Sequence, residues 1–159
     1  MNEETVISGY FDGACAPTNP KGHIGIGCVI GINKTVVYRM SDYKAAAPEN
    51  SNNLAEYMAL EKLLDYFIEK GSTTEKINIY GDSMLVIKQM QGHWRVKEGA
   101  YVEAAIRCKR KVYKFKDIVF QWIPREQNSA ADKMSNSELI KRGIKLFEPP
   151  KKIISNHIK

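Results

Sequence analysis

Four carboxylates stand where a folded chain has little structural need of them: Asp12, Glu56, Asp82 and Asp132. Asp12 ends an apolar run that includes Ile7, Tyr10 and Phe11, just before the turn-rich stretch "GACAPTNPKG". Asp82 closes the apolar segment "KINIYGD". Glu56 falls on one helical face with Leu60, Leu63, Leu64 and Phe67, so it heads an apolar stripe instead of facing water. Asp132 follows "NSAA" in the first turn of a last helix.

Each acid has a harmless explanation taken alone. Asp is common where strands give way to turns. Glu56 can complete a capping box with Asn53 as N-cap. Asp82 can cap the helix that follows it, and Asp132 can complement a helix dipole or complete a cap with Ser129. Together they form a pattern of two acids at strand ends and two at helix starts. If those strands are neighbours, all four meet at one sheet end, where open α/β folds place their sites. Such carboxylates repel unless cations compensate them. Oxygen ligands without His or Cys suit Mg²⁺ or Mn²⁺. A metal pair ~3.5–4 Å apart can stabilise both the attacking and the leaving oxygen at a phosphate ester.

The elements that must position these acids follow from periodicity. Residues 5–13, 23–32 and 34–42 read as strands with turn residues between them, and the short links make them antiparallel. A helix over 53–70 carries Leu60, Leu63, Leu64, Phe67 and Ile68 inward and stops at Gly71. A buried strand ends at Asp82, and a short helix spans 83–91. The pattern predicts a basic helix over 99–115 with Val102, Ile106, Val112 and Tyr113 inward, although Lys109 interrupts that stripe. "DIVFQWI" is a last strand and 128–141 a last helix. Helical crossovers make the later strands parallel to the first, giving an α/β fold with a mixed sheet.

At 159 residues the chain is long enough for one domain with a proper core. There is no membrane-length apolar run, and the acidic start "MNEETV" is unlike a secretory signal. The three cysteines lack zinc or CxxC spacing, as expected of a reduced, cytoplasmic protein. The net charge of +6 is concentrated: residues 141–159 carry +5, and residues 95–116 hold eight Lys/Arg against Glu98 and Glu103. Basic segments of this kind attract polyanions.

"YFDGACAPTNPKGHIGIG", "NSNNLAEYMAL", "IYGDSMLVIKQMQG" and "WIPREQNSAADKMS" resemble the four motif regions of type 1 ribonuclease H, with the acids in the family order. The likeness covers roughly residues 5–140, and the chain resembles the compact prokaryotic branch that lacks a basic protrusion. The resemblance implies a five-stranded mixed sheet flanked by helices, with residues 1–140 as the catalytic domain and 141–159 as a basic tail. It implies a monomer that cuts the RNA strand of RNA–DNA hybrids, leaving 5′-phosphate and 3′-hydroxyl ends, with two Mg²⁺ ions, or Mn²⁺ as substitute. Asp12 would bridge both ions, Glu56 and Asp82 would complete one side and Asp132 the other.

For the substrate, the resemblance implies that Asn52, Asn53 and backbone groups at Gly13 and Cys15 meet the RNA strand. Asn19 and Ser51 would hold a DNA phosphate. Trp94, if not buried, would pack on a DNA sugar beside Arg95 and Lys97. Two departures stand out. The link before the last acid, "IPREQNSAAD", has no His, leaving Glu126 and Asn128 as auxiliary candidates, and Gly81 stands where a hydroxyl residue is usual, which would loosen the strand end. Alternatives are a non-catalytic binding module, which would be expected to lose an acid, and a resolvase-like nuclease, against which "NN-x-x-E" speaks. An exonuclease would want Asp-x-Glu, but Ala14 occupies that position.

Overall fold

The computed structural model describes residues 4–146. Strands β1 (Ile7–Ala16), β2 (His23–Ile32) and β3 (Thr35–Lys44) form an antiparallel meander. The β2–β3 link is tight because Asn33 and Lys34 take φ of 50° and 69°, the geometry that matches strand twist in a two-residue hairpin. Then follow α1 (Asn52–Glu69), β4 (Lys76–Gly81), α2 (Met84–Met90), α3 (Val102–Val112), β5 (Asp117–Trp122) and α4 (Ser129–Lys141). The sheet order is β3-β2-β1-β4-β5, with β4 parallel to both β1 and β5. This is the expected mixed sheet. The link between α2 and α3 holds no further helix. No described helix is long and apolar enough to cross a membrane.

Two faces of the sheet are covered by different helices. On one, Leu60, Leu63, Leu64 and Phe67 of α1 are buried over Ile7, Phe11 and Ile79. Strand alternation turns Gly25 and Gly27 of β2 to the other face, where α4 lies against them. A Cβ on Gly27 would strike the backbone of Ser135 and Ala131, so glycine sets how closely α4 approaches. Gly27→Ala should therefore lower stability by about 1–3 kcal/mol through overpacking. Gly31→Ala, whose Cβ would meet nothing nearer than Thr35 O at 3.5 Å, should melt close to the unsubstituted protein in the same thermal scan.

Several local expectations are corrected. β1 runs on to Ala16 rather than stopping at residue 13, because its antiparallel pairing with β2 continues after the parallel pairing with β4 ends at Phe11 and Gly81. α1 is capped by Ser51, whose Oγ accepts from Leu54 N at 3.1 Å, so Asn53 is not the N-cap. Ser83, not Asp82, caps α2. Asn128 holds the N-cap position of α4 without a side-chain cap bond, and Ser129 is the first helical residue. α3 is shorter than predicted and turned: Ala104, Ala105 and Cys108 face the core, while Ile106 and Tyr113 are exposed. These small side chains allow α3 close to α1, where the Cys108 thiol faces Tyr57 O. The end of β4 is held, not loosened, at Gly81: Ile123 N donates to Gly81 O at 3.0 Å, and Trp122 Nε1 donates to Asp82 O at 3.1 Å. α4 ends at Lys141, and the basic tail from residue 147 onward lies outside the described residues.

Candidate active site

The acids meet at the sheet end where α1 and α4, from opposite faces, approach β1 and β4. Past Phe11, β1 has no parallel neighbour. Its next outward N–H groups, on Gly13 and Cys15, are taken up by α1 instead: Gly13 N donates to Glu56 Oε1 at 2.8 Å and Cys15 N to Asn52 Oδ1 at 2.9 Å. Gly13 is needed for this approach, since a Cβ there would overlap the backbone of Ala55 and Glu56. Glu56 thus bonds across to the sheet, and the capping-box reading does not hold. Its carboxylate is brought beside Asp12, with an Asp82 oxygen close by: one oxygen from each of the three lies within 4.8 Å of the others. Asp132 lines the same cavity from α4, together with Asn136, Arg125 and Leu146; its volume is about 450 Å³.

Electrostatics mark this cluster as unusual for the molecule. A larger hollow, about 750 Å³ between β3 and α1, also holds acids, but three of them, Asp42, Glu61 and Asp65, are ion-paired. Lys62 meets Asp42 at 3.5 Å, Arg107 meets Glu61 at 2.8 Å and Lys111 meets Asp65 at 2.7 Å. In the acid cavity the only cation among the described lining residues is Arg125, 77% exposed in its side chain and 3.9 Å from Asp132. Burial, then the charges of Asp82 and Asp132, push the Asp12 carboxyl up to about 8. Burial, then Asp12 and Asp82, raise Glu56 well above the carboxylate range. Burial also raises Asp82, against the opposing influence of Asn128 and Arg125. A buried carboxylate cluster of this kind, lacking His or Cys, fits hard divalent cations in both charge and donor type.

The other predicted residues divide. Gly13, Cys15 and Asn52 line the cavity. Asn19 Oδ1 accepts from Asn52 N at 2.9 Å, and Ser51 Oγ is used in capping, so both support the start of α1. Asn53 is exposed in the first turn. Trp94 is 46% exposed, not buried, and lines a separate hollow with Arg95 and Lys97. Glu126 is exposed and does not line the acid cavity. Asn128 is buried; its Nδ2 donates to Phe11 O at 3.0 Å, and its Oδ1 has no partner. Sequence reasoning missed Arg125, Asn136 and Ser135. It also missed buried Asn50, whose Nδ2 donates to Gly22 O and Ala45 O, each at 2.9 Å, holding the loop before α1. Ser135 was legible as a small polar residue one turn after Asp132 on the sheet side of α4.

Comparison with known proteins agrees with this geometry. A family model described as reverse transcriptase-like matches residues 10–138. A bifunctional protein of Mycobacterium tuberculosis is 32% identical over 123 residues, covering 76% of this chain and 32% of the relative. Ribonuclease HI of Halobacterium salinarum is 30% identical over 133 residues, covering 84% of this chain and 64% of that protein. The chain therefore spans about a third of the first relative and under two thirds of the second. The crystal structure of LC11 ribonuclease H1, solved in complex with an RNA/DNA hybrid, superposes with a TM-score of 0.76 at 30% identity, covering 86% of this chain and 98% of that one. With the acids converging on that shared fold, this chain belongs to the type 1 ribonuclease H family of enzymes.

Proposed function

We propose that this chain is a metal-dependent endonuclease that hydrolyses the RNA strand of RNA–DNA hybrids, leaving 5′-phosphate and 3′-hydroxyl ends. The observation that carries the reading is the meeting of Asp12, Glu56 and Asp82 oxygens within 4.8 Å, in a cavity that Asp132 also lines. These four residues would hold two Mg²⁺ ions, or Mn²⁺ in their place. Such ions supply the positive charge that offsets the carboxylates and stabilises the entering and departing oxygens of an in-line displacement.

The chain's own groups account for strand choice. With Asn19 Oδ1, Ser51 Oγ and Asn52 Oδ1 accepting bonds inside the protein, these side chains have N–H and O–H donors left to offer. Donors are what a phosphate or a 2′-hydroxyl oxygen requires. Asn52 and Asn53 meet the RNA strand, with the backbone at Gly13 and Cys15 contributing carbonyl oxygens because their N–H groups are bonded to Glu56 and Asn52; Asn19 and Ser51 hold a DNA phosphate, and Trp94 packs on DNA sugar. Residues 1–140 act as a cytoplasmic, monomeric catalytic domain, and 141–159 add a basic segment that contacts nucleic acid or a protein partner.

Arg125 lies in the link before Asp132, which holds no His. Its guanidinium stands 3.9 Å from Asp132, so Arg125 acts through charge at the rim of the cavity. Arg125→Ala should lower kcat/KM by about 10- to 100-fold with the melting temperature unchanged, as measured by steady-state cleavage and thermal scanning. Glu126→Ala should leave both unchanged.

The reading as a whole is tested with hybrids labelled on either strand, in Mg²⁺, Mn²⁺ or EDTA, with the product ends identified. Cleavage confined to the RNA strand, abolished by EDTA and leaving 5′-phosphates, is expected. Equal cutting of hybrid, duplex RNA and duplex DNA would overturn it.

A further inference from the structure

Ser135 is fully buried on α4, and its Oγ lies 3.0 Å from Asp12 Oδ2 and 2.8 Å from Asp132 O. A hydroxyl has one proton, so it can donate to only one of these acceptors at a time. Once a cation holds Asp12 ionised, the bond to its carboxylate is the stronger of the two. The neighbouring backbone shows why the hydroxyl has so little choice. Gly25 and Gly27 of β2 lie directly beneath Ser135, with no room for a side chain between them and its O and N. Gly27 is also the residue paired across the ladder with Asp12. The contact of α4 with β2 therefore aims one hydroxyl at Asp12, the acid that closes β1's parallel edge.

We propose that Ser135 is a positioning residue for the metal site, resting on the ribonuclease H reading above. It commits Asp12 Oδ2 to α4, so that the remaining oxygen of Asp12 is the one presented to Glu56 and Asp82. It also ties α4, which carries Asp132, to β1, which carries Asp12, so that acids from the two elements keep one spacing. Without the hydroxyl, Asp12 turns more freely and must be ordered when a cation binds, and the affinity falls. Loss of a group that orients a metal ligand typically weakens binding by about 10-fold or more.

The neighbouring Ser137 supplies a matched control. Its Oγ donates to Met134 O at 2.7 Å, the same helical back-bond, with no carboxylate within its hydrogen-bonding set. The test is calorimetric titration of metal-stripped protein with Mn²⁺, alongside melting in EDTA, for the unsubstituted chain, Ser135→Ala and Ser137→Ala. Alanine is smaller than serine and adds no clash at the Gly27 contact. Ser135→Ala should raise the Mn²⁺ Kd about tenfold, and Ser137→Ala should leave it unchanged. Equal affinities for all three proteins would overturn the role of Ser135 while leaving the metal site in place. An equal loss in both variants would reduce it to general helix packing and overturn it as well. Failure of the unsubstituted protein to bind Mn²⁺ would overturn both this inference and the ribonuclease reading.

Discussion

Asp12→Asn abolishes hybrid cleavage, by at least about 10³-fold or ~4 kcal/mol of transition-state stabilisation, and the folded protein survives. Asp12 is only 6% exposed, at the centre of the acid cluster, so no other carboxylate can take its place without moving a strand. Asparagine has the same shape and can still accept from Ser135. It removes the charge that a divalent cation requires, while keeping the uncharged state that metal-free Asp12 already holds up to about pH 8. The variant should thus lose activity in Mg²⁺ while melting no lower than the unsubstituted protein in EDTA. Single-turnover cleavage and thermal scanning read the two effects. Retained cleavage would remove Asp12 from the site, and a collapsed melting temperature would make its role structural.

The metal-free protein loses stability as pH rises, which is the reverse of a salt-bridged carboxylate. Folded Asp12 keeps its proton up to about pH 8, whereas its ordinary value is 3.8. Between those limits the folded state binds more protons than the unfolded state, so the unfolding free energy falls with pH. The stabilising difference is complete below the ordinary carboxylate value and is lost as pH passes about 8. Glu56 is pushed in the same direction. Glu138, held down at about 2 by Arg142, Lys141 and Ser41, stays ionised across this window and does not oppose the trend. In EDTA the melting temperature should be lower at pH 8.5 than at pH 5 by ~10 °C, the shift expected for a few kcal/mol in a domain of this size. Saturating Mg²⁺ should raise the pH 8.5 value most, because it binds the ionised cluster of the folded state. A melting temperature that rises with pH in EDTA would contradict this.

Much of the site could be read from the chain because its acids sit against strong periodicity. Glu56 stood out by heading a stripe of Leu60, Leu63, Leu64 and Phe67, all of which are buried. Asp12 and Asp82 stood out as charges directly after apolar strands, and neighbouring strands bring them together. Where several residues could serve equally, local reasoning failed. Asn50, Ser51, Asn52 and Asn53 can all cap a helix, and Ser51 is selected because Asn50 is bonded to Gly22 and Ala45 and Asn52 to Cys15. Those contacts cross from other segments and leave no local trace. The register of α3 was misjudged for a related reason. Ile106 and Tyr113 carry the apolar surface, but the residues of α3 that are buried are the small Ala104, Ala105 and Cys108. Arg125 was obscured by the expectation of a His in its loop, and Ser135 because its contact with Asp12 crosses from another segment and leaves no local trace.

The most direct measurement is anomalous scattering from crystals grown with Mn²⁺, which shows where the cation binds without reference to catalysis. Peaks enclosed by the carboxylates of Asp12, Glu56, Asp82 and Asp132 are expected, and they should vanish in Asp12→Asn. Peaks elsewhere with this cavity empty, or a cluster left bare at saturating Mn²⁺, would contradict a metal-dependent site.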